Sequence, residues 1–362
     1  MSGYFSTDYK AARQAFLNQA LEVKGIAWQA SFKHPCLGAQ GEELALDAVW
    51  MGDLNASKLL IVQSATHGIE GFAGSAIQTA WLTEAGLKQL PEDTAILFLH
   101  AMNPWGFSFL RRVDEAGIDL NRNFIDFTAV PDNKGYEVLN ALLIPTAWQP
   151  EVLSTADSKL AAYQAAWGER LYEEAVSGGQ YTHPQGLFYG GKEPSWSRSV
   201  LTQLATDLQL AERKAVAIID VHTGLGDYSV GEVICDHPPN SLGVSWAKRW
   251  YGAAVTEPFL GTSSSVPKLG LIDYFWHQTL PDACCFITLE FGTGSTENLF
   301  NVLRADHWLA GQATKDLDKT LQQKIQQDLL THFYPTDKTW QQAVLKQGLE
   351  RINQALEGLQ QV

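Results

Sequence analysis

The sequence predicts an α/β fold built on a buried, mostly parallel sheet, and three observations support this prediction. Short apolar runs of strand-forming residues recur along the chain, helix-period segments lie between them, and clusters of polar residues follow the runs. Continuous apolar runs are typical of strands that helices cover on both faces. The chain has 362 residues and 45% hydrophobic side chains, which is enough for one large core, so we predict a single domain with additions.

Four apolar runs predict the strands at the centre of the sheet. They are KLLIVQS from Lys58, TAILFLH from Thr94, AVAIIDV from Ala215 and CCFITLE from Cys284. Between the first two runs, GSAIQTAWLTEAGLKQL has helical spacing and predicts a helix that begins near Gly74 and ends before Pro91. The order strand, helix, strand is the pattern from which parallel sheets are built.

The domain organisation follows from two other segments. Residues 1–335 are predicted to form the main domain, with an insertion near 128–199 whose polar turns, SGGQ and YGGKEPSWS, suit a segment that covers or shapes a site. Within residues 336–362, TWQQAVLKQGLERINQALEGL has apolar residues at helical intervals and predicts one amphipathic helix. We expect this helix to pack on the body of the protein, and packing on a second subunit, in a homo-oligomer, is the alternative.

The composition argues against several classes of partner. Lys and Arg total 26 against 40 Asp and Glu, a net charge of -14, which disfavours binding to nucleic acids or anionic membranes. The N-terminus has no basic region followed by an apolar run, and no stretch approaches the roughly 18 apolar residues of a membrane span. We therefore expect a cytoplasmic protein. The four cysteines show no C-x-x-C spacing and indicate neither a disulfide framework nor a cysteine zinc site.

Candidate metal ligands follow two of the predicted strands, at the end of the strand where α/β folds place their sites. His67 and Glu70 lie in SATHGIEG, and His222 lies in IIDVHTGLG. Three protein ligands leave a tetrahedral zinc ion one open position, as a catalytic metal requires. Each motif is weak alone, because H-x-x-E arises by chance and a strand-end histidine is often a core residue. Asp220 shares a strand face with His222, which places it near the metal as an outer group. Three glycines allow an unusual backbone path near a ligand: Gly68, Gly71 and Gly74.

Two more clusters carry groups that suit substrate binding and proton transfer. In GIDLNRNF, Asn121 and Arg122 combine an amide and a guanidinium fork, which together suit a planar carboxylate. Arg111 and Arg112 lie shortly before and are candidates to stabilise an oxyanion, although each taken singly can also be a surface cation. Glu290 ends the apolar run ITLE, where a buried carboxylate needs a charged partner, a metal-bound water or a proton. A general base beside zinc meets that need, and a structural salt bridge is the alternative.

Four motifs occur in a characteristic order along the chain. They are H-x-x-E at His67 and Glu70, D-x-N-R from Asp119 to Arg122, a strand-terminal His222 and a strand-terminal Glu290. Together they resemble the zinc carboxypeptidase superfamily, called M14, over roughly residues 55 to 295, and are close to its uncharacterised branch DUF2817. The aspartoacylase and succinylglutamate desuccinylase branch carries a similar DxHTG-like segment. The resemblance implies a mixed, mostly parallel eight-stranded sheet flanked by helices.

The resemblance also implies a role for each matching residue. His67, Glu70 and His222 would bind one zinc ion per chain, Glu290 would be the general base, and Asp119 would hydrogen-bond His67 from outside the ligand set. Further residues would bind the substrate. Asn121 and Arg122 would hold its free carboxylate, and Arg112, or less surely Arg111, would stabilise the oxyanion.

This chain departs from the carboxypeptidase pattern at the substrate pocket. Carboxypeptidases place a mobile tyrosine a little over twenty residues before the catalytic glutamate. No tyrosine lies at that distance before Glu290 in this sequence, and Tyr274 lies nearer to Glu290. The stretch LIDYFWHQ resembles the specificity-pocket segment and places Ile272 where enzymes for basic C-terminal residues carry an acid. The pattern therefore predicts an apolar or small substrate side chain.

The function expected from these residues is zinc-dependent hydrolysis of an amide bond next to a free carboxylate. A carboxypeptidase acting on small peptides is the first hypothesis. An N-acyl amino acid deacylase of the aspartoacylase type is the main rival, because it needs the same metal, base and carboxylate clamp. A zinc-containing ligand-binding protein without turnover is the third, and the missing tyrosine motivates it.

Overall fold

The chain is built around one sheet of eight strands. The structure, a computed structural model, describes residues 2–85, 90–312 and 318–362. The strands are β1 (Ile26–Leu37), β2 (Glu43–Met51), β3 (Lys58–Ser64), β4 (Thr94–His100), β5 (Ala215–Tyr228), β6 (Gly231–Ile234), β7 (Val255–Thr256) and β8 (Cys284–Gly292). Their order across the sheet is β1-β2-β4-β3-β5-β8-β6-β7.

The sheet is mixed and mostly parallel. The central strands β4, β3, β5 and β8 are parallel, whereas β1 and β2 on one side, and β6 against β8 on the other, pair in antiparallel fashion. The predicted fold class is therefore confirmed. The predicted runs at Lys58 and Thr94 coincide with β3 and β4, and those at Ala215 and Cys284 open β5 and β8.

The central strands are mainly apolar because both faces of the sheet are covered. Along β3, Leu60 and Val62 join the core on one face, whereas Leu59 and Ile61 join the core on the other. All four side chains are fully buried. Burying one such side chain stabilises the fold by about 1.5–3 kcal/mol. Successive side chains of a strand point to opposite faces of the sheet, and here both faces are apolar.

Helices cover both faces of the sheet. On the first face lie α1 (Tyr9–Glu22), α2 (Gly71–Ala85), α8 (Leu242–Tyr251) and α12 (Lys338–Leu359). On the second face lie α7 (Trp196–Asp207) and α9 (Ile272–Thr279). A third apolar cluster joins α4 (Lys134–Leu143), α5 (Pro150–Trp167), α6 (Glu169–Ser177), α10 (Thr296–Ala310) and α11 (Lys319–Phe333). A short helix, α3 (Pro104–Ser108), follows β4.

Helix α2 begins at Gly71, three residues before the predicted start. A 3-10 helix over Gly68–Glu70 leads directly into it, so the helical path opens inside the motif that carries Glu70. The predicted end before Pro91 falls partly on residues 86–89, which lie outside the described residues.

The predicted insertion and the terminal segment both contribute helices. Residues 128–199 carry α4, α5, α6 and the start of α7. Helix α12 packs closely on the first face, where a Cβ on Gly348 would lie 2.5 Å from Ile77, and one on Gly358 would lie 2.4 Å from the Trp250 ring. The domain boundary at residue 335 and the homo-oligomer stay predictions. Among the described residues, no helix is long and apolar enough to cross a membrane.

Candidate metal centre

Three candidate ligands meet at the carboxyl edge of the central strands. His67 follows β3, Glu70 sits on the 3-10 helix that comes next, and His222 lies on the adjacent strand β5. Glu70 bridges the two imidazoles: its Oε1 lies 3.0 Å from His67 Nδ1, and its Oε2 lies 3.0 Å from His222 Nδ1. One potential ligand atom from each residue lies within 4.8 Å of the others, and all three side chains are buried. The structure thus brings the predicted ligands together.

The outer nitrogen of each imidazole is held by a carboxylate. His67 Nε2 lies 3.0 Å from Asp119 Oδ1, and His222 Nε2 lies 2.7 Å from Asp220 Oδ2. Arg112 Nη2 also lies 2.7 Å from His67 Nε2, and the Nδ1 of each imidazole faces an oxygen of Glu70, so the potential ligand atoms converge on one point. Two imidazole nitrogens and one carboxylate oxygen are donors that zinc takes in catalytic sites, and a second carboxylate orients each imidazole from its far side. The residues therefore fit a zinc ion.

The charges of this cluster are strongly coupled. Burial opposes ionisation of Glu70, but the charges and hydrogen bonds of His67 and His222 hold its pKa well below the usual range. Burial also disfavours a charged His222, but Asp220 and Glu70 raise the pKa of that imidazole well above its usual value. The carboxylates thus stabilise positive charge at His222, which is the electrostatic environment that a bound cation requires.

The glycines of the first motif serve close packing. Gly71 has φ -59°, and none of Gly68, Gly71 and Gly74 has a left-handed φ. A Cβ on Gly68 would lie 2.1 Å from the backbone of Gly106 in α3, and one on Gly74 would lie 2.5 Å from the Ser64 side chain. The expectation that these glycines adopt an unusual backbone path is therefore wrong. Glycine suits these positions because neighbouring chain segments approach too closely to leave room for a Cβ.

The two adjacent arginines have different environments. The backbone carbonyl of Arg112 accepts a hydrogen bond from the amide of Gly68, and that of Arg111 accepts one from the amide of Ile69. The Arg112 guanidinium contacts Asp119 and lines the cavity beside His67. The Arg111 guanidinium instead donates to both oxygens of Asp306 on α10. Of the two, Arg112 is the one that faces the candidate site.

A buried carboxyl group holds the loop between Arg112 and Asp119. Asp114 Oδ1 accepts hydrogen bonds from the amides of Ala116 and Ile118, at 2.9 and 2.8 Å. Burial, and then the charge of Glu115, raise the pKa of Asp114 to about 7. The unfolded chain releases this proton near pH 4, so Asp114 contributes less to stability as the pH rises from about 4 to about 7.

Replacing Asp114 with asparagine is therefore expected to stabilise the protein more at high pH than at low pH. The amide keeps the accepting oxygen and does not titrate, so relative to wild type the variant gains on the order of 2 kcal/mol between about pH 5 and pH 8. Denaturant unfolding at both pH values measures the difference. The exposed Asp132→Asn is the control, and an Asp114→Asn effect that is equal at both pH values would contradict this account.

The segment that carries Asn121 and Arg122 forms a 3-10 helix, Leu120–Arg122, in which the amide of Asn121 donates to the side chain of Asp119. The Arg122 side chain is only 1% exposed and donates to the carbonyl oxygens of Ser177 and Asn121. Asn121 Oδ1 accepts from the amide of Ile272 at 2.7 Å. Asn121 lines the same cavity as His67 and His222, and Arg122 lines a second cavity that adjoins it.

A phenylalanine from the predicted insertion lies against both site arginines. The guanidinium carbons of Arg112 and Arg122 lie 5.0 and 5.3 Å from the centre of the Phe188 ring. Cations near an aromatic ring at this distance are attracted by its quadrupole. Phe188 also lines the second cavity, so a residue of the region 128–199 contributes directly to the site.

Glu290 lies opposite His222 in the register of β5 and β8. Its Oε1 accepts a hydrogen bond from the amide of Leu225 at 3.0 Å. Burial, and then the charge of Glu70, raise the pKa of Glu290 to about 8. At neutral pH a carboxyl group with this pKa keeps its proton, and a cation bound beside it would favour the ionised form that a general base requires.

The candidate centre opens into a small cavity, in which the space open to the centres of water-sized molecules is about 60 Å³. Its lining comprises His67, Arg112, Asn121, His222, Leu225, Ile234, Asp236, Ser265, Lys268, Leu271, Ile272, Asp273, Phe286, Thr288 and Glu290. Ile272 is thus on the cavity wall, as predicted from the specificity-pocket segment. The Tyr274 hydroxyl instead donates to the carbonyl oxygen of Lys268 at 2.9 Å.

Three charged residues of this cavity are missing from the sequence-based prediction: Asp236, Lys268 and Asp273. For Lys268 a signal existed, since it lies a little over twenty residues before Glu290, where the family resemblance would put a tyrosine. Its ammonium donates to Val266 O at 2.9 Å and also contacts Ser265, and burial followed by the charge of Arg122 lowers its pKa to about 8. Asp273 adjoins Ile272, so the pocket segment itself contained an acid.

The fold has counterparts among solved structures. Bovine thrombin-activatable fibrinolysis inhibitor, in complex with tick carboxypeptidase inhibitor, matches with a TM-score of 0.52 at 10% identity, over 99% of this chain and 98% of that one. A second structure of thrombin-activatable fibrinolysis inhibitor gives 0.53 at 9% identity, over 98% and 75% of the two chains. Succinylglutamate desuccinylase from Chromobacterium violaceum gives only 0.38 at 16% identity, over 84% and 77%. At these identities a likeness shows the fold alone.

Fold and site together define an α/β protein of the carboxypeptidase-like fold with a buried His-Glu-His cluster that could hold a metal ion. A comparison with curated proteins found no match. The chain belongs to the family described as protein of unknown function DUF2817, whose model matches residues 5–347. This confirms the family resemblance drawn from the motifs.

Proposed function

We propose that this protein is a zinc-dependent hydrolase that cleaves the amide bond next to a free carboxylate and releases the C-terminal amino acid of a small peptide. The observation that carries the proposal is one cavity lined by His67, His222, Glu290, Arg112 and Asn121. Candidate metal ligands, a base, an oxyanion-stabilising cation and a carboxylate-binding amide thus share one space.

The metal proposed here is one zinc ion per chain, held by His67, Glu70 and His222. When bound, zinc lowers the pKa of water and polarises a carbonyl oxygen. Asp119 and Asp220 hold the two imidazoles from the Nε2 side, so that each Nδ1 points toward Glu70 before any ion arrives.

Glu290 is proposed as the general base and acid. The amide of Leu225 fixes one oxygen of its carboxylate, which leaves the other free to take a proton from the attacking water. The same carboxylate then returns the proton to the leaving amine, so no covalent intermediate with the protein is needed. Arg112 stabilises the negative charge that develops on the carbonyl oxygen of the scissile amide.

Asn121 and Arg122 are proposed to position the substrate by its carboxylate. Arg122 is fixed by backbone carbonyls and Phe188, so its guanidinium is held rigidly before substrate binds. A rigid clamp fixes the scissile bond relative to Glu290 and lowers the entropic cost of reaching the reactive geometry. Lys268 adds a second cation on this side of the cavity.

Product analysis of zinc-loaded protein tests the proposal. A panel of short peptides and of N-acyl amino acids is incubated at equal concentrations, and released amino acids are quantified. We expect free C-terminal amino acids from the peptides. Faster release from the acyl amino acids would instead identify a deacylase, and no release from any substrate by fully zinc-loaded protein would favour a ligand-binding protein without turnover.

A further inference from the structure

One lysine stands where the two cavities of the candidate site meet. Among the described residues, those that line both cavities are His67, Arg112, Leu225, Lys268 and Glu290. This set contains a candidate metal ligand, the cation proposed to act on the oxyanion and the proposed base. A scissile amide has to reach all three at once, so it must lie at this junction. Lys268 is the charged member of the set to which the proposed function gives no contact with the reacting atoms.

The ammonium group of Lys268 has a hydrogen-bond donor to spare. It donates to the carbonyl oxygen of Val266 at 2.9 Å and also contacts the Ser265 hydroxyl. Both acceptors are neutral and belong to the loop that carries the lysine itself. Because an ammonium group has three N–H donors, one of them stays available to a ligand in the cavities.

The charge of this ammonium group is not offset by a direct partner. The acids whose charges act on Lys268 are Asp236, Glu173 and Glu290, and within the described part of the chain none of them forms an ion pair with it. Burial, and then the charge of Arg122, lower the pKa of Lys268 to about 8, so the group stays mainly protonated at neutral pH. An anion that reaches it from the cavity would stabilise this cation.

Arg112, the other cation at the junction, is already engaged. Its Nη1 contacts Asp119, and its Nη2 lies 2.7 Å from His67 Nε2. A buried carboxylate thus offsets its charge, and its position is tied to a candidate metal ligand. Donors stabilise a developing charge best when they are held in place and need no rearrangement as the charge appears. The third N–H of Lys268 meets this condition, because it has no acceptor to give up among the described residues.

We propose that Lys268 donates a hydrogen bond to the carbonyl oxygen of the scissile amide and stabilises the negative charge that develops there as water attacks. Arg112 acts on the same charge beside the metal ligands, so the oxygen has two cationic partners. This inference rests on the proposed function and gives Lys268 a direct contact with the reacting atoms. Loss of one donor of this kind typically costs about 10²- to 10³-fold in kcat.

The first test measures how the loss divides between kcat and KM. Lys268→Met keeps the aliphatic chain and removes the charge and the donors. With zinc-loaded enzyme and the peptide that is cleaved fastest, we expect kcat to fall by at least about 30-fold while KM stays within a few-fold, because the contact strengthens only in the transition state. Lys268→Arg keeps a cation and should lose less. Lys346→Met, at an exposed position on α12, should change neither constant.

A binding measurement separates this role from a structural one. In a phosphinic dipeptide analogue, a tetrahedral anionic phosphinate replaces the scissile amide, and such transition-state analogues bind more tightly than substrates. Lys268→Met should weaken its binding by at least about 10-fold, as expected for the loss of a hydrogen bond to a charged group. Binding of the uncleaved peptide, measured in the Glu290→Gln background with and without Lys268→Met, should change by no more than a few-fold. A damaged fold would weaken both ligands alike.

Each other result has a definite meaning. If Lys268→Met keeps kcat within a few-fold of wild type, the inference is overturned and the hydrolase is intact. A loss confined to KM, and seen with free-acid peptides but not with their C-terminal amides, would assign Lys268 to the substrate carboxylate and overturn the inference as well.

The binding readout also distinguishes the inference from the hydrolase. Phosphinate binding that depends on Lys268, in a protein that cleaves no peptide, would support the inferred contact and overturn the hydrolase. The absence of both cleavage and phosphinate binding would overturn both proposals. If Lys268→Met does not fold, Lys268→Gln takes its place in the two measurements.

Discussion

Replacing Glu290 with glutamine is expected to lower hydrolysis by at least about 100-fold while zinc stoichiometry stays close to one per chain. The amide can still accept the hydrogen bond from Leu225, but it cannot take a proton from water, and general acid–base catalysis typically contributes 10²- to 10⁴-fold. Metal analysis and kcat/KM on the same preparation measure both quantities.

Glu232→Gln is the matched control for that experiment. Glu232 lies opposite Glu290 on the neighbouring strand β6, but its oxygens accept from Thr256, Ser263 and Ser264. Its replacement should leave activity within a few-fold of wild type. Loss of zinc from Glu290→Gln would move Glu290 into the ligand set and contradict its role as the base.

Replacing His222 with alanine is expected to lower zinc affinity by more than about 100-fold. The change removes one of three ligands and leaves Glu70 and Asp220, two buried carboxylates, without the imidazole that joins them. Competition with a chelator of known affinity measures the effect. Asp220→Asn supplies a graded comparison, because loss of an outer partner typically costs 10- to 100-fold. Unchanged zinc affinity in His222→Ala would remove His222 from the ligand set.

The sheet and the cluster of candidate metal ligands were predictable because local sequence encodes them. β3 and β4 are covered on both faces, so burial leaves continuous apolar runs whose ends are marked by polar residues. His222 and Glu290 stand in register on neighbouring strands, directly after or at the end of their apolar runs. The prediction that His222 ends its strand was wrong, since β5 continues to Tyr228. The flanking strands β1, β2, β6 and β7 followed only from the family resemblance.

The remaining part of the site depends on tertiary packing. Arg111 and Arg112 are adjacent, and only the position of Asp306 on a distant helix separates their roles. The glycine requirement at Gly68 comes from the approach of α3, which no local pattern reveals. Asp236 and Asp273 line one cavity although a long stretch of chain separates them, so the sequence does not reveal that they are neighbours.

The Phe188 ring described above lies against two like charges. The guanidinium carbons of Arg112 and Arg122 lie 5.0 and 5.3 Å from its centre, so one apolar ring shields part of both cations from water. Phe188 lies within residues 128–199, the region predicted to be an insertion. A change in that region is therefore expected to alter the surroundings of both cations at once.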